Sequence, residues 1–359
     1  MNRQFWAGRR VFLTGHTGFK GSWLSLMLQE AEAEVTGFAL PPPTQPSLFE
    51  EASVATGMRS IIGDIRDLAS LQDAMQQSRP EIVLHLAAQP LVGYSYSNPV
   101  ETYATNVMGT VHVLEAVRQS GGVRAVVNVT TDKCYENREW SWPYRENERL
   151  GGHDPYSNSK ACSELVSACF RDSFFSTETF DRHGVAVATA RAGNVIGGGD
   201  WADNRLIPDI VAAFTRGEAA GIRSPSSVRP WQHVLEPITG YLRLAELLHE
   251  QGPRFAQPWN FGPRAEDARP VSWIAEKMTA LWGEGASWVN TASLQHHEAG
   301  QLRLDSTNAM QALNWQPRLR LEDALKLTVE WARQRMQGAD IRALTLDQIR
   351  HYGSLTHAD

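Results

Sequence analysis

A short apolar strand, Arg10-Val11-Phe12-Leu13-Thr14, runs straight into Gly15-His16-Thr17-Gly18-Phe19-Lys20-Gly21, and Ser22-Trp23-Leu24-Ser25-Leu26-Met27-Leu28 then reads as a helix. Few folds place a strand, a glycine-rich turn and a helix in direct succession. The glycines permit the tight turn and let backbone N–H groups approach an anion at the helix N-terminus. A G-x-x-G-x-x-G string is weak on its own. Between a strand and a helix, at the head of an alternating chain, it predicts a parallel α/β sheet whose first crossover holds a dinucleotide. Gly15, Thr17, Gly18, Phe19 and Lys20 are the residues expected against that cofactor.

The alternation continues. Val35 to Leu40 reads as a second strand, but Ala39-Leu40-Pro41-Pro42-Pro43 stands where an acid would meet a free ribose 2′-hydroxyl. Glu50 and Glu51 come late, and no arginine waits for a 2′-phosphate, so this strand leaves NAD against NADP open. The prolines from Pro41 to Pro46 read as a stiff loop. A third strand ends in Ile61-Ile62-Gly63-Asp64-Ile65-Arg66-Asp67, with Asp64 and Ile65 expected near the adenine and Asp67 as N-cap of the next helix. Glu81 to Leu86 is apolar enough for a strand buried on both faces. Leu86, Ala87, Ala88 and Gln89 then offer a surface against which a cofactor can lie.

Asn98-Pro99 opens a long helix to about Ser120, with Asn106 inside it. A fifth strand, Arg124 to Val129, delivers Thr130-Thr131-Asp132-Lys133 to the C-terminal edge of the sheet, where ligands of open α/β folds bind. Residues 136–153 are polar and aperiodic and read as a loop over the site. Asp154-Pro155 starts the helix that carries Tyr156 and Lys160 and runs to about Phe174. Four residues apart, the two side chains share one helix face. A phenol beside an ammonium loses its proton more easily, so the pair can take a proton from an alcohol while a nicotinamide takes the hydride. Alone, Y-x-x-x-K is usually a surface tyrosine near a surface lysine; the company it keeps here argues otherwise.

After a sixth strand, Val185 to Arg191, the pattern loosens into a glycine turn at Gly197-Gly198-Gly199-Asp200-Trp201, and helices are expected near 204–208, 271–282, 306–313 and 321–337. The predicted fold is α/β, a Rossmann-type doubly wound parallel sheet with a smaller mixed α/β C-terminal substrate domain. The division expected is 1–190 plus 228–262 for the cofactor and 191–227 plus 263–359 for the substrate, and 359 residues suit two domains.

A net charge of −6 gives no reason to expect nucleic acid or an anionic membrane as partner. No apolar run reaches the ~18 residues of a membrane span. The N-terminus lacks a signal peptide's apolar core and runs directly into a strand, so a cytoplasmic protein is expected. Cys134, Cys162 and Cys169 show no metal spacing. The last two read as small apolar helix positions, and Cys134, beside Asp132-Lys133, is a candidate reactive thiol. His296-His297 lacks the i, i+4 spacing of a helical metal pair, and no metal is expected.

Gly15-x-x-Gly18-x-x-Gly21, Tyr156-x-x-x-Lys160 and the upstream Thr131 resemble the extended short-chain dehydrogenase/reductase superfamily over essentially the whole chain. Thr131-Asp132-Lys133 resembles its nucleotide-sugar 4,6-dehydratases. The resemblance implies NAD and an internal redox elimination. Tyr156 would take the proton of a glucose 4-hydroxyl while C4 gives up its hydride, with Lys160 holding the phenolate and the nicotinamide ribose and Thr131 bonded near O4. Asp132 would be the acid to the departing 6-hydroxyl. Lys133 would be the base at C5, or the charge that steadies the enolate.

The string Gly15 to Trp23 and a lysine at 133, where dTDP-glucose members carry glutamate, imply CDP-glucose as the nucleotide hexose. Asn194, Arg205, Arg229, His233 and Arg303 would be substrate contacts, Arg229 foremost because a diphosphate suits a guanidinium fork. The helices at 99–120 and 155–174 resemble those of a four-helix dimer contact, implying a homodimer or a dimer of dimers. Two rivals remain: a nucleotide-sugar 4-epimerase, which needs no acid for a leaving hydroxyl, and a catalytically silent NAD(H)-binding sensor or scaffold.

Overall fold

The computed structural model describes residues 1–291 and 300–355, so His296-His297 lies outside the described residues. In chain order the strands are β1 (Arg10–Thr14), β2 (Glu34–Ala39), β3 (Arg59–Ile62), β4 (Ile82–His85), β5 (Ala125–Val129) and β6 (Ala186–Ala192). Then follow β7 (Asn194–Ile196), β8 (Ala220–Ile222), β9 (Val228–His233), β10 (Pro258–Phe261), β11 (Ala268–Pro270) and β12 (Trp288–Asn290). Seven of them form one parallel sheet in the order β10-β6-β5-β4-β1-β2-β3. The order turns back between β1 and β4, where Thr14 pairs with His85. That switch point is where an open parallel sheet holds its ligand.

Every residue of β4, β5 and β6 is buried, as a sheet covered by helices on both faces requires. Alternation divides the side chains between two cores: Val11 and Leu13 pack with Trp23, Leu26 and Leu242, while Phe12 packs with Leu71, Val113 and Val117. Asp67 caps helix Leu68–Ser78 by accepting from the Ser70 amide, as expected of it.

A three-stranded sheet, β11-β9-β7, and the pair β12-β8 make up the smaller part. Its helices Leu206–Thr215, Val271–Trp282 and Leu321–Met336 share a third core around Trp231, Ile274 and Leu325. Within 228–262, β9 belongs to this small sheet; the chain returns to the large one from helix Leu235–Gln251 onward, ending in β10 at its edge.

Two local features depart from the sequence reading. A short helix, Arg3–Trp6, precedes β1, capped by Asn2, and the Trp6 indole is buried with its Nε1 donating to Glu246 Oε1 at 2.8 Å. The long helix after Pro99 contains a π-type segment, Ala104–Met108, at Asn106. Asn106 there accepts from the Gln89 amide at 2.8 Å and donates to the Gln89 carbonyl at 3.0 Å. The stretch 136–153 is irregular, as the loop reading expects, and is tied to the body at Tyr144. Tyr144 bridges to Leu304, and Tyr135 and Tyr144 stack inside a buried cluster with Leu302 and Leu304.

Candidate active site

β5 ends against a tight turn, Asp132–Cys134, capped by Thr131, whose Oγ1 accepts from the Lys133 amide at 3.3 Å. The Thr131 hydroxyl donates to Asp132 Oδ1 at 3.0 Å. Asp132 Oδ2 is buried and has no hydrogen-bond partner among the described residues. Burial pushes this carboxyl above its ordinary range, against the pull of Lys133, Thr131, Arg229 and Lys20. Gly193 leaves room for it: a Cβ there would stand 2.6 Å from Pro230 Cγ and 3.3 Å from Asp132 Oδ2. Cys134, the candidate reactive thiol, is fully buried and its pKa is pushed far up, so it is an inert core residue.

Helix Pro155–Ser173 starts at Asp154, which accepts from the Ser157 amide at 2.9 Å, with proline at the first helical position. Tyr156, Lys160 and Glu164 form one buried stripe along it. Tyr156 is anchored by its amide to Ser95 Oγ at 3.1 Å. Lys160 is not among the groups that chiefly set the pKa of Tyr156. Burial pushes the phenol up to about 12, and the hydrogen bond with Thr131 and the charge of Arg205 act in the opposite direction. The reason is geometric: the Lys160 ammonium donates to the Val129 carbonyl at 3.2 Å. Burial lowers Lys160 to about 8, with Glu164 opposing.

On the cofactor side, Gly15 has φ of 78° and a Cβ there would come 2.7 Å from the Ala87 amide nitrogen, while a Cβ on Gly21 would overlap the Gly15 carbonyl oxygen. Helix Phe19–Glu30 opens at Gly18 with no side-chain cap, so its first N–H groups are left for a ligand. This uncapped terminus, cradled by glycines, fits the pyrophosphate of NAD. Thr17 ties the turn to the end of β2 by donating to the Leu40 carbonyl at 2.8 Å. Lys20 lies within electrostatic reach of Lys160, Asp132, Arg205 and Asp200. Its pKa is lowered to about 8 by burial, Arg205 and Lys160, against Asp132 and Asp200. Asp64 is engaged by Arg66 at 2.6 Å, Ile65 is buried, and Leu86, Ala87, Ala88 and Gln89 are half-buried at the mouth of β4.

Of the substrate candidates, Arg229 and Arg205 lie within electrostatic reach of Asp132 and Tyr156. Arg229 is buried with its Nη1 on the Val228 carbonyl at 2.9 Å, and Arg205 pairs with Asp200 at 3.0 Å. Asn194 opens β7, half-buried. Arg303 has a buried Nε with no hydrogen-bond partner among the described residues. His233 is a core residue: fully buried edge-on to Trp23, lowered to about 3 by burial, and backed by Gly197.

Two buried charges beneath this site escaped the sequence reading. Glu164 continues the Tyr156 and Lys160 stripe by one more turn, a spacing that could have flagged it. Arg191 is a lone cation in the otherwise uncharged strand β6, and it meets Glu164 at 2.8 Å.

A model of the NAD dependent epimerase/dehydratase family matches residues 11–256. The chain is 54% identical over 356 residues to the CDP-glucose 4,6-dehydratase of Salmonella typhimurium, covering 99% of each. It is 27% identical to the dTDP-glucose 4,6-dehydratase of Streptomyces antibioticus, over 90% of this chain and 92% of the other. Among solved structures, the dTDP-glucose 4,6-dehydratase of Bacillus anthracis in complex with NAD superposes with a TM-score of 0.75 at 20% identity, covering 92% of this chain and 98% of that one. At that identity the likeness is one of fold.

Proposed function

The chain belongs to the NAD dependent epimerase/dehydratase family, and from that footing we propose that it is a CDP-glucose 4,6-dehydratase. It converts CDP-D-glucose to CDP-4-dehydro-6-deoxy-D-glucose with no net use of NAD. The observation that carries the reading is Asp132: a buried carboxyl, pushed toward its protonated form, with one oxygen unpartnered among the described residues, beside Thr131 and Tyr156. An epimerase has no leaving hydroxyl to protonate, and a sensor needs no acid at all.

The N–H groups opening helix Phe19–Glu30, with Gly15, Thr17, Gly18, Phe19 and Lys20, would hold the pyrophosphate. Asp64 and Ile65 would take the adenine end, Leu86 to Gln89 the middle, and Tyr156 and Lys160 the nicotinamide ribose. NAD bound there supplies a hydride acceptor at C4 that becomes the hydride donor at C6. Tyr156 accepts the 4-hydroxyl proton, its phenolate favoured by the Thr131 hydroxyl, once that hydroxyl turns its proton from Asp132 Oδ1, and by Arg205. The resulting 4-ketone acidifies the C5 proton. Lys133 serves that step, as base or as the charge steadying the enolate. Asp132 then gives its proton to the departing 6-hydroxyl, and the burial that raises its pKa acts in the direction this step needs.

The large sheet makes the cofactor half, and β11-β9-β7 with its helices the nucleotide-sugar half. There Asn194, Arg205, Arg229 and Arg303 are the proposed contacts. Val100 and Leu165, 82% and 58% exposed on the two long helices, support a homodimer or dimer of dimers built through them. Among the described residues no helix is long and apolar enough to cross a membrane, and we place the enzyme in the cytoplasm.

The test is incubation with CDP-, dTDP-, UDP- and GDP-hexoses, following product mass. Loss of one water from CDP-glucose without external oxidant is the expected result. A product that keeps all its oxygens makes the protein an epimerase, and no turnover with any of them returns the sensor reading.

A further inference from the structure

Beneath the turn that bears Thr131, Asp132 and Lys133 lies an enclosed ion pair, Glu164 with Arg191, each side chain 3% exposed. The Thr130 hydroxyl donates to Glu164 Oε1, and the Thr189 hydroxyl to Oε2 at 2.7 Å. From the other side, Arg191 Nη1 donates to the Tyr135 hydroxyl at 2.8 Å, and the guanidinium lies 4.9 Å from that ring's centroid. The Tyr135 hydroxyl donates in turn to Asn260 Oδ1 on β10 at 2.7 Å. Thr130 and Tyr135 are the residues immediately before and after Thr131–Cys134. Both ends of the turn are thus bonded to one ion pair. One helical turn earlier, Lys160 holds the Val129 carbonyl, so successive turns of a single helix grip successive residues at the exit of β5.

We propose that Glu164 is a positioning residue for the reaction: together with Arg191 it clamps both ends of the turn carrying Thr131, Asp132 and Lys133, and it faces the Lys160 ammonium from the next helical turn. The inference rests on the dehydratase reading above. An enclosed ion pair is a poor device for stability alone, because desolvating two charges offsets their attraction. What it provides is direction, with hydrogen bonds at fixed points in a site where a misplacement of about 1 Å costs about a hundredfold in rate. Burial works to raise the Glu164 carboxyl, but Arg191 and the two threonines outweigh it and keep it ionised. Lys160 is faced by Glu164 on its own helix, Cys134 from the turn, Lys20 from helix Phe19–Glu30 and His85 from β4, with Arg191 behind Glu164. Of these Glu164 is the one anion.

The test compares Thr130→Val, Thr130→Ser, Tyr135→Phe and Glu164→Gln in the NAD-loaded protein. Thr130→Val and Tyr135→Phe should each lower kcat about tenfold or more while KM for CDP-glucose stays within about twofold, and Thr130→Ser should restore the rate. In Glu164→Gln the loss of kcat at alkaline pH should begin about one pH unit lower, because Lys160 sheds its proton earlier. The alkaline weakening of NAD⁺ affinity, read by tryptophan fluorescence, should shift with it. A wild-type kcat in Thr130→Val and Tyr135→Phe overturns the clamp, as do Thr130→Ser no better than Thr130→Val and an unmoved alkaline limb. Should Glu164→Gln not fold, the threonine and tyrosine variants decide alone. If the wild type leaves CDP-glucose intact, the dehydratase reading falls, while the NAD⁺ profile, which needs no turnover, still judges the clamp.

Discussion

Asp132 and Tyr156 meet the same low-dielectric surroundings with opposite demands. Burial raises both pKa values; in the proposed reaction that favours Asp132 as the acid, which must hold a proton, and opposes Tyr156, which must lose one. The two steps should therefore come apart on mutation. In Asp132→Asn, elimination should slow by ~10²–10³ while oxidation at C4 slows far less, so bound NADH accumulates and its absorbance rises in single-turnover mixing. Equal slowing of both steps would count against the acid role. Tyr156, Lys160 and Thr131-Asp132-Lys133 were legible in the chain because their chemistry sits in two short stretches whose spacing is set by a helix and a strand end. Arg191 was not. Its partner Glu164 lies 27 residues away, and nothing local distinguishes a buried arginine from an edge one. The direction of the Lys160 ammonium was equally hidden, since helical spacing fixes a face but not the rotamer that reaches Val129.

Helix Leu235–Gln251 begins with a carboxylate that no reading of periodicity would find. Glu236 is buried and accepts from the amides of Leu319 at 2.7 Å and Arg318 at 2.9 Å, and from the Tyr352 hydroxyl at 2.7 Å. It joins three segments far apart in the chain, and burial raises its pKa to about 7. A carboxyl that binds its proton more tightly folded than unfolded contributes stability that is complete below about pH 4.5 and is lost as pH rises through about 7. The loss amounts to at most ~3 kcal/mol. Glu236→Gln keeps an acceptor for the two amides and cannot titrate. Between about pH 5 and about pH 8 the melting temperature of the wild type should fall relative to the variant by several degrees; parallel melting curves would remove Glu236 from the account. Strands and long helices were readable because apolar runs and caps are local. The loop at 136–153 was readable as a loop, but its anchor was not, because Tyr144 pairs with Leu304 across the molecule.

At the scale of the whole molecule, Val100 and Leu165 stay exposed on the two long helices. If these helices join two copies, Val100→Glu with Leu165→Glu should yield monomers in light scattering, since buried like charges oppose association by several kcal/mol. An unchanged mass would move the interface elsewhere. The fold class followed from the order of elements, whereas the return of the chain's end did not. Helix Ile341–Ser354 packs back on the first crossover, with Arg350 on Glu30 at 3.0 Å and Arg342 on Gln29 at 2.7 Å. A chain leaves the ribosome from its N-terminus. The turn built from residues 15 to 21 is therefore synthesised well before helix Ile341–Ser354, the outer wall of its own helix. Until that later helix is made, Glu30 and Gln29, on the helix that the glycine turn opens, lack the two arginine partners that anchor it from outside.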